Sequence, residues 1–163
     1  MIPAVIDIEA SGFGRNSYPI EIGVITPERM SYCYLIRPDK TWKHWDSSAE
    51  TIHGISRHTL LEKGESPREI ARQLNQLFLG QTLYSDAWSH DISWLGKLYD
   101  ICDSPLLYRI ESIRTLISEE QTAFWHPTKE QVIAQLQLTR HRASTDALIL
   151  QETYRQVVAL TKV

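Results

Sequence analysis

Two acidic side chains stand two residues apart beside an apolar run near the N-terminus. Asp7 and Glu9 follow residues 2–6, Ile-Pro-Ala-Val-Ile, and the small pair Ser11-Gly12 comes shortly afterwards. Such a run predicts a short buried strand, on which side chains two apart point to the same face. Two unpaired carboxylates on a buried strand are costly, and the sequence has no Lys or Arg before Arg15. The pattern therefore predicts a bound divalent cation and metal-dependent hydrolysis.

A second pair of ionisable residues, His141 and Asp146, stands five apart near the C-terminus. On one continuous helix they would point roughly 140° apart, so both can reach one site only if His141 precedes the helix. Ser144 or Thr145 is a suitable N-cap for that helix. Taken alone, His141 is better explained as a solvent-facing histidine, and Asp146 as an acid that complements the helix dipole. Beside a pair of strand carboxylates, we interpret them as parts of the same site.

Two acids in the middle of the chain, Asp91 and Asp86, are candidates for a further metal ligand of this site. With a helix over 90–102, Asp91 shares a face with Leu95 and Leu98, so its carboxylate lies on the apolar side of the helix. A metal ion would explain that position, whereas the alternative is an ordinary acid at a helix N-terminus. Asp86 follows a predicted strand, a position where Asp commonly forms a cap or a turn. We therefore choose Asp91 as the ligand and leave the role of Asp86 open.

In this order, the motifs resemble those of the DEDD exonuclease superfamily, histidine subclass, which includes polymerase proofreading subunits, ribonuclease T and oligoribonuclease. Residues 52–56, Ile-His-Gly-Ile-Ser, are similar to the His-Gly-Ile loop of that family. The resemblance extends over nearly the whole chain. It implies an α/β fold with a ribonuclease H-like mixed five-stranded sheet flanked by helices. The catalytic residues that it implies are Asp7, Glu9, Asp91, His141 and Asp146.

The resemblance also implies a two-metal mechanism. Four carboxylates would hold two Mg²⁺ or Mn²⁺ ions about 4 Å apart, one beside the attacking water and one beside the leaving oxygen. Asp7 would bridge both ions, with Glu9 and Asp146 on the ion nearer the nucleophile, and Asp91 as the fourth ligand. A neutral imidazole at His141 would take the proton of the water. A set of hard oxygen ligands argues against zinc.

The implied activity is that of a 3′–5′ exonuclease that releases nucleoside 5′-monophosphates. Its substrates would be 3′ ends of single-stranded DNA or RNA, or short oligonucleotides. Two alternatives stay open: a phosphodiesterase or pyrophosphohydrolase that acts on a small nucleotide, and a noncatalytic nucleic-acid-binding module on the same fold. The preference for RNA or DNA, the substrate length and a possible homodimer are also open at this point, since fold analogy does not decide them.

Substrate contacts are expected from the segments that border these motifs. After Glu9 the family often has Thr-Thr or Thr-Ala-Gly, so this chain lacks one hydroxyl there. Gly12 would let the backbone approach the terminal nucleotide closely. An aromatic ring accepts any base by stacking, which makes a tryptophan before Asp91 a candidate. The expected substrate-binding residues are Ala10, Ser11, Gly12, His53, Ile55 and Trp88.

Two further groups are weaker candidates for contact with nucleic acid. Trp42 and Trp45 are interleaved with basic residues, as in a stacking patch, but we favour a role in anchoring their loop to the core. Arg140 and Arg142 flank His141 and are placed to touch phosphates, although exposed arginines beside acids need no special role.

Composition is consistent with one intracellular domain over residues 1–163. With 42% hydrophobic residues the chain can bury a real core. No segment resembles a membrane span or a signal peptide, and two cysteines do not form a disulfide framework, so we expect a cytoplasmic location. The net charge of −3 is unusual for a nucleic-acid enzyme, but removing the four proposed ligands from the 20 acids would make it positive. Charge therefore favours local binding of one end over tight binding along a duplex.

The hydrophobic pattern by itself predicts an α/β chain. Strands are expected at 3–9, 20–26, 30–37, 82–85 and 106–110. Helices are expected at 47–53, 67–79, 90–102, 111–120, 128–138 and 144–160.

Overall fold

A mixed five-stranded sheet forms the centre of the molecule, in a computed structural model that describes residues 1–161. The strands follow the order β3-β2-β1-β4-β5, in which β1 pairs antiparallel with β2 and parallel with β4. β3 is antiparallel to β2, and β5 is parallel to β4. This architecture confirms the ribonuclease H-like class. The strands are β1 Val5–Ala10, β2 Pro19–Ile25, β3 Ser31–Leu35, β4 Thr82–Ser85 and β5 Arg109–Ser112.

Helices cover both faces of this sheet. They are α1 Ser47–His53, α2 Arg57–Lys63, α3 Pro67–Phe78, α4 Trp88–Ile101, α5 Glu119–Leu136 and α6 Ala143–Leu160, with a 3₁₀ turn at Ile113–Leu116. On one face, Ile6 and Ile8 of β1 lie in a core cluster with residues of α3 and α4. On the other face, Val5 lies in a second cluster with Trp125 of α5 and Ala147 of α6. Alternation along β1 therefore sends odd-numbered side chains towards α6.

The prediction of a helix over 111–120 is wrong. Strand β5 runs to Ser112, whose side chain then accepts a hydrogen bond from the backbone of Arg114 and starts only a short 3₁₀ turn. Ser118 begins the next helix through a capping box with Gln121, in which each side chain bonds to the backbone of the other. The region predicted as one helix over 111–120 is therefore the end of β5, a 3₁₀ turn and the capped start of α5.

Helix α5 starts nine residues before the predicted helix at 128–138, and it contains Pro127. A proline inside a helix removes a backbone hydrogen bond, which is why the pattern predicts a start just after it. Trp125, Thr128 and Val132 are all buried, so packing offsets the lost hydrogen bond. Helix α2 was not predicted from the sequence; Ser56 caps it, and its one buried residue is Leu60. Among residues 1–161, no helix is long and apolar enough to cross a membrane.

Candidate active site

Three carboxylates meet at the end of β1. Asp7 and Glu9 project from the same side of the strand, and Asp146 comes from the first turn of α6. One ligand atom of each lies within 4.8 Å of those of the other two. The strand alternation that sends Val5 into the core beside α6 also sends these two acids towards Asp146. The structure thus brings together three of the four predicted metal ligands in a single group.

The N-terminus of α6 is attached to the neighbouring strand, which fixes where Asp146 stands. Glu21 of β2 is fully buried and accepts hydrogen bonds from the guanidinium of Arg142, at 2.6–3.1 Å, and from the backbone of Ala143, at 2.8 Å. A Cβ on Gly23 would lie 2.2 Å from the backbone nitrogen of Ser144, so the helix crosses β2 at a position that only glycine fits. Arg142 is thus engaged by Glu21 in this structure.

His141 lies on the turn before α6, as its spacing from Asp146 requires. Its backbone has a positive φ of 60°, a conformation that His adopts more readily than most residues. The backbone N–H of His141 donates to Oδ2 of Asp146 at 3.1 Å, and Nε of Arg140 lies 3.3 Å from Oδ1. The N-cap of the helix is Arg142, so the prediction of Ser144 or Thr145 is wrong. The turn therefore connects the backbone of His141 directly to one carboxylate of the group.

Asp91 lies in the first turn of α4, with a side chain that is 1% exposed. Its Oδ2 accepts a hydrogen bond of 2.5 Å from the hydroxyl of Ser85, at the end of β4. Its Oδ1 is buried and has no hydrogen-bond partner among the described residues. A buried carboxylate oxygen without a partner is costly, and a bound cation would compensate it. Asp91 stands outside the group of three but lines a cavity together with Glu9.

The pKa values of these acids reflect crowding of negative charge. Burial, followed by the charges of Asp91, Glu9 and Asp146, raises the pKa of Asp7 well above its ordinary value. Burial and the charge of Asp146 raise the pKa of Glu9 to about 7, and burial raises that of Asp91 to about 7. Each acid makes ionisation of the next one harder, and a divalent cation would reverse this effect. The donor set therefore fits a hard divalent cation.

Asp86 is engaged by two cations. Its Oδ1 lies 3.3 Å from Nε of Arg114, and its Oδ2 lies 2.9 Å from Nζ of Lys129. Arg114 also stands over the ring of Trp125, with its guanidinium carbon 4.4 Å from the ring centroid. Both oxygens of Asp86 thus have partners, in contrast to the unpaired Oδ1 of Asp91.

A cavity of about 270 Å³ opens beside the carboxylates. Glu9, Asp91 and His141 lie along its wall, together with three of the predicted substrate-binding residues, Ala10, Gly12 and His53. Nδ1 of His53 accepts from the backbone of Ile55 at 3.0 Å, whereas its Nε2 is buried and has no partner among the described residues. If Nδ1 accepts, a neutral His53 carries its proton on Nε2, where it is available to a ligand.

Three aromatic side chains that were not predicted to bind substrate also line this cavity: Phe13, His90 and Trp94. Phe13 is 69% exposed and stands edge-on to His90, with 5.5 Å between ring centroids. His90 in turn stacks on Trp94 at 5.6 Å. The sequence offered a signal for the last two, because they flank Asp91 at positions one turn apart on a helix. Phe13 follows Gly12 directly, but its exposure is a property of the fold.

The remaining predicted substrate-binding residues do not line this cavity. Ser11 is buried, and its hydroxyl bonds to the ring of His44 at 2.9 Å and to the backbone of Tyr18 at 3.1 Å. Ile55 lies in a core cluster with Tyr18, Ile20 and Leu60. Trp88 is 45% exposed and donates to the carbonyl of Ile110 at 2.8 Å. In this structure, all three have contacts within the protein.

The loop of Trp42 and Trp45 packs on the core. Trp42 stacks on Tyr18 with ring centroids 5.2 Å apart. Trp45 stands edge-on to His53 and donates to a carboxylate oxygen of Glu50 at 2.7 Å. These contacts agree with an anchoring role, and through His53 they support one wall of the cavity.

Solved structures of exonuclease I resemble the chain in fold. One structure of exonuclease I superposes with a TM-score of 0.71 at 12% identity, over 94% of this chain and 40% of that protein. The zinc-bound form of the E. coli enzyme in complex with single-stranded DNA gives 0.75, over 99% and 41%. Exonuclease I from Methylocaldum szegediense gives 0.72 at 12% identity, over 98% and 40%. The chain has the fold of the matching part of exonuclease I.

The likeness is one of fold and not of sequence. No protein-family model matches the chain, and no curated protein is significantly similar to it. The chain spans about two fifths of the length of the exonucleases that it superposes on.

Proposed function

We propose that the protein is a metal-dependent 3′–5′ exonuclease that acts on single-stranded nucleic acid. One observation carries this proposal: the carboxylate group of Asp7, Glu9 and Asp146 lies beside a cavity of about 270 Å³ that also contains His141. Ligand cavities of about 300–1,000 Å³ are usual, so this one is suited to a small group such as a single nucleoside. The fold shared with exonuclease I, whose E. coli form is known in complex with a dA16 oligonucleotide, supports the same conclusion.

Divalent cations are the cofactor that the site fits. Asp7, Glu9 and Asp146 would hold them, with Asp91 contributing its unpaired oxygen. Because the donor set is made of oxygen atoms, we propose Mg²⁺ or Mn²⁺. When bound, such ions stabilise negative charge on the phosphate that is attacked.

The protein's own side chains would bind the terminal nucleotide and move one proton. Phe13, which is 69% exposed and packs against His90 and Trp94, offers an aromatic ring for stacking with a base of any identity. Nε2 of His53 offers a hydrogen bond to the sugar or base. The imidazole of His141 would accept the proton of the attacking water. The water oxygen bonds to the scissile phosphorus while the bond from phosphorus to the 3′ oxygen of the preceding nucleotide breaks, so the terminal nucleotide leaves as a 5′-monophosphate.

The size of the cavity is also compatible with an enzyme that acts on small nucleotides. A cavity suited to a single nucleoside serves a phosphodiesterase or pyrophosphohydrolase of small nucleotides equally well. The two activities share the metal site and the general base, so they differ only in the length of the group beyond the scissile phosphate.

The test is a time course with a 5′-labelled single strand and Mn²⁺. A 3′–5′ exonuclease shortens this strand one nucleotide at a time, and a circular strand resists it because no 3′ end can enter the cavity. Asp7→Asn should abolish the ladder without unfolding the protein, since the substitution keeps the volume of the side chain. Cleavage of the circle would show an endonuclease, and activity restricted to mononucleotide or dinucleotide compounds would favour the alternative.

A further inference from the structure

A second cavity, of about 170 Å³, borders the same carboxylate group. Asp7 and Asp146 line it, whereas Glu9 and His141 line the larger cavity, and Ala87 lines both. The two cavities therefore meet at the carboxylates. If the terminal nucleoside occupies the larger one, the smaller one borders the same carboxylates and is available to the strand that remains after cleavage.

Lys129 of α5 contributes a positive charge to this second cavity. Its Nζ lies 2.9 Å from Oδ2 of Asp86, and its side chain is 26% exposed. The other oxygen of Asp86 already lies 3.3 Å from Arg114. Lys129 therefore shares the carboxylate of Asp86 with Arg114, so Asp86 does not neutralise both cations. Lysine is a common phosphate ligand because it is a compact point charge.

The position of Lys129 is fixed by its surroundings. Thr128, the preceding residue, and Trp125, one turn earlier, are both buried against the core. Asp86 follows β4 directly and holds the ammonium group from the opposite side. An ammonium group held in this way loses less conformational freedom on binding a ligand than a free surface lysine does.

We propose that Lys129 contacts the phosphate immediately upstream of the scissile one, and that Asp86 is its positioning residue. This inference rests on the proposed exonuclease function, because it assigns the second cavity to the strand that remains. It also gives Asp86 a role other than metal binding. The alternative is that the Lys129–Asp86 pair only fastens α5 to the end of β4.

The test combines a variant of the protein with a variant of the substrate. One oligonucleotide has normal linkages, and a second has a neutral methylphosphonate at the linkage just upstream of the scissile one. For the natural protein, removal of that charge should lower kcat/KM for the first cleavage by about 10-fold to 100-fold, the range for a hydrogen bond to a charged group. For Lys129→Met the same change of substrate should have almost no effect. Lys63→Met, which removes an exposed lysine of α2 that lines neither cavity, should retain the full loss.

A purely structural role of Lys129 predicts a different pattern. Lys129→Met would then lower activity on both oligonucleotides equally, and the methylphosphonate loss would stay as large as in the natural protein; that result overturns the proposal. Asp86→Asn, which keeps Lys129 but removes the charge that holds it, should reduce the methylphosphonate loss, and an undiminished loss would remove Asp86 from the account. If the natural protein does not shorten the normal strand at all, the exonuclease function itself fails, which is a separate result.

Discussion

At the scale of single residues, the two central acids, Asp91 and Asp86, differ in the partners of their carboxylate oxygens. One oxygen of Asp91 is buried without a partner, whereas both oxygens of Asp86 face cations. The place of Asp91 on the apolar face of its helix points to the same assignment. Which residue binds metal remains a prediction that two substitutions can test.

Asp91→Ala should therefore lower turnover by several orders of magnitude, because it removes one of the proposed ligands. Asp86→Ala should change mainly stability or substrate affinity. Steady-state kinetics with Mn²⁺, together with a thermal melt of each variant, separates the two effects. A larger loss of kcat in Asp86→Ala than in Asp91→Ala would mean that the assignment is reversed.

His141 allows a test of proton transfer that does not depend on metal binding. Replacement by Ala should lower kcat by about 10²–10⁴, the usual contribution of a general base. The affinity for Mn²⁺, measured by calorimetry, should stay close to that of the natural protein, since the hydrogen bond from His141 to Asp146 comes from its backbone N–H, which the substitution keeps. A kcat within threefold of the natural value would exclude His141 as the base.

At the scale of secondary structure, the attachment of α6 to β2 determines whether Asp146 meets β1. Gly23 lets the helix backbone approach the strand, and Glu21 binds both Arg142 and the backbone of Ala143. In sequence, Glu21 lies 121 residues from Arg142 and 122 residues from Ala143. No local pattern in the sequence encodes such a contact.

Gly23→Ala should destabilise the protein and reduce activity together. The added methyl group would lie 2.2–2.6 Å from backbone atoms of Ala143 and Ser144, which cannot move without shifting the start of α6. Overpacking of this kind typically costs about 1–3 kcal/mol in the free energy of unfolding. Chemical denaturation measures that cost, and Gly96→Ala is the control, because a Cβ at Gly96 meets no atom within 4 Å. Equal stability of the two variants would contradict the close approach.

Secondary structure also shows what the sequence can and cannot predict. The apolar alternation predicted β1 and the shared face of Asp7 and Glu9, and the 3.6-residue period predicted α3 and α4 closely. Local patterns did not predict that α5 would continue through Pro127, since burial of Trp125 and Val132 decides that. They also did not indicate Lys129, which meets Asp86 across 43 residues of sequence. The fold and the acidic residues could thus be predicted from the sequence, but the contact of Lys129 with Asp86 and the exposure of Phe13 could not.

At the scale of the whole molecule, crowded carboxylates link stability to pH. In the metal-free protein the pKa values of Glu9 and Asp91 are raised to about 7, from ordinary values of 4.5 and 3.8. Between those ordinary values and pH 7, the unfolded chain has lost protons that the folded protein still holds. Stability from these two groups therefore falls as pH rises through this window and levels off above about pH 7.

Melting temperatures from pH 5 to pH 8 in EDTA test this linkage. His53 acts in the opposite sense, because burial lowers its pKa below the ordinary value of 6.5. The quantity to compare is therefore the difference between the natural protein and Asp91→Asn. The variant should lose less stability than the natural protein between pH 5 and pH 7, and Mn²⁺ should stabilise the natural protein more at pH 7.5 than at pH 5. Identical pH profiles in EDTA would contradict the raised pKa of Asp91.

The central claim is that the carboxylate group and the neighbouring cavity form one metal-dependent nucleotide site. A crystal soaked with Mn²⁺ and a nucleoside 5′-monophosphate tests it most directly, because anomalous scattering locates the manganese independently of the nucleotide. We predict manganese bound to Asp7, Glu9 and Asp146, with the base between Phe13 and the His53 side of the cavity and the phosphate at the metal. Manganese bound elsewhere, or a nucleotide outside this cavity, would contradict the account.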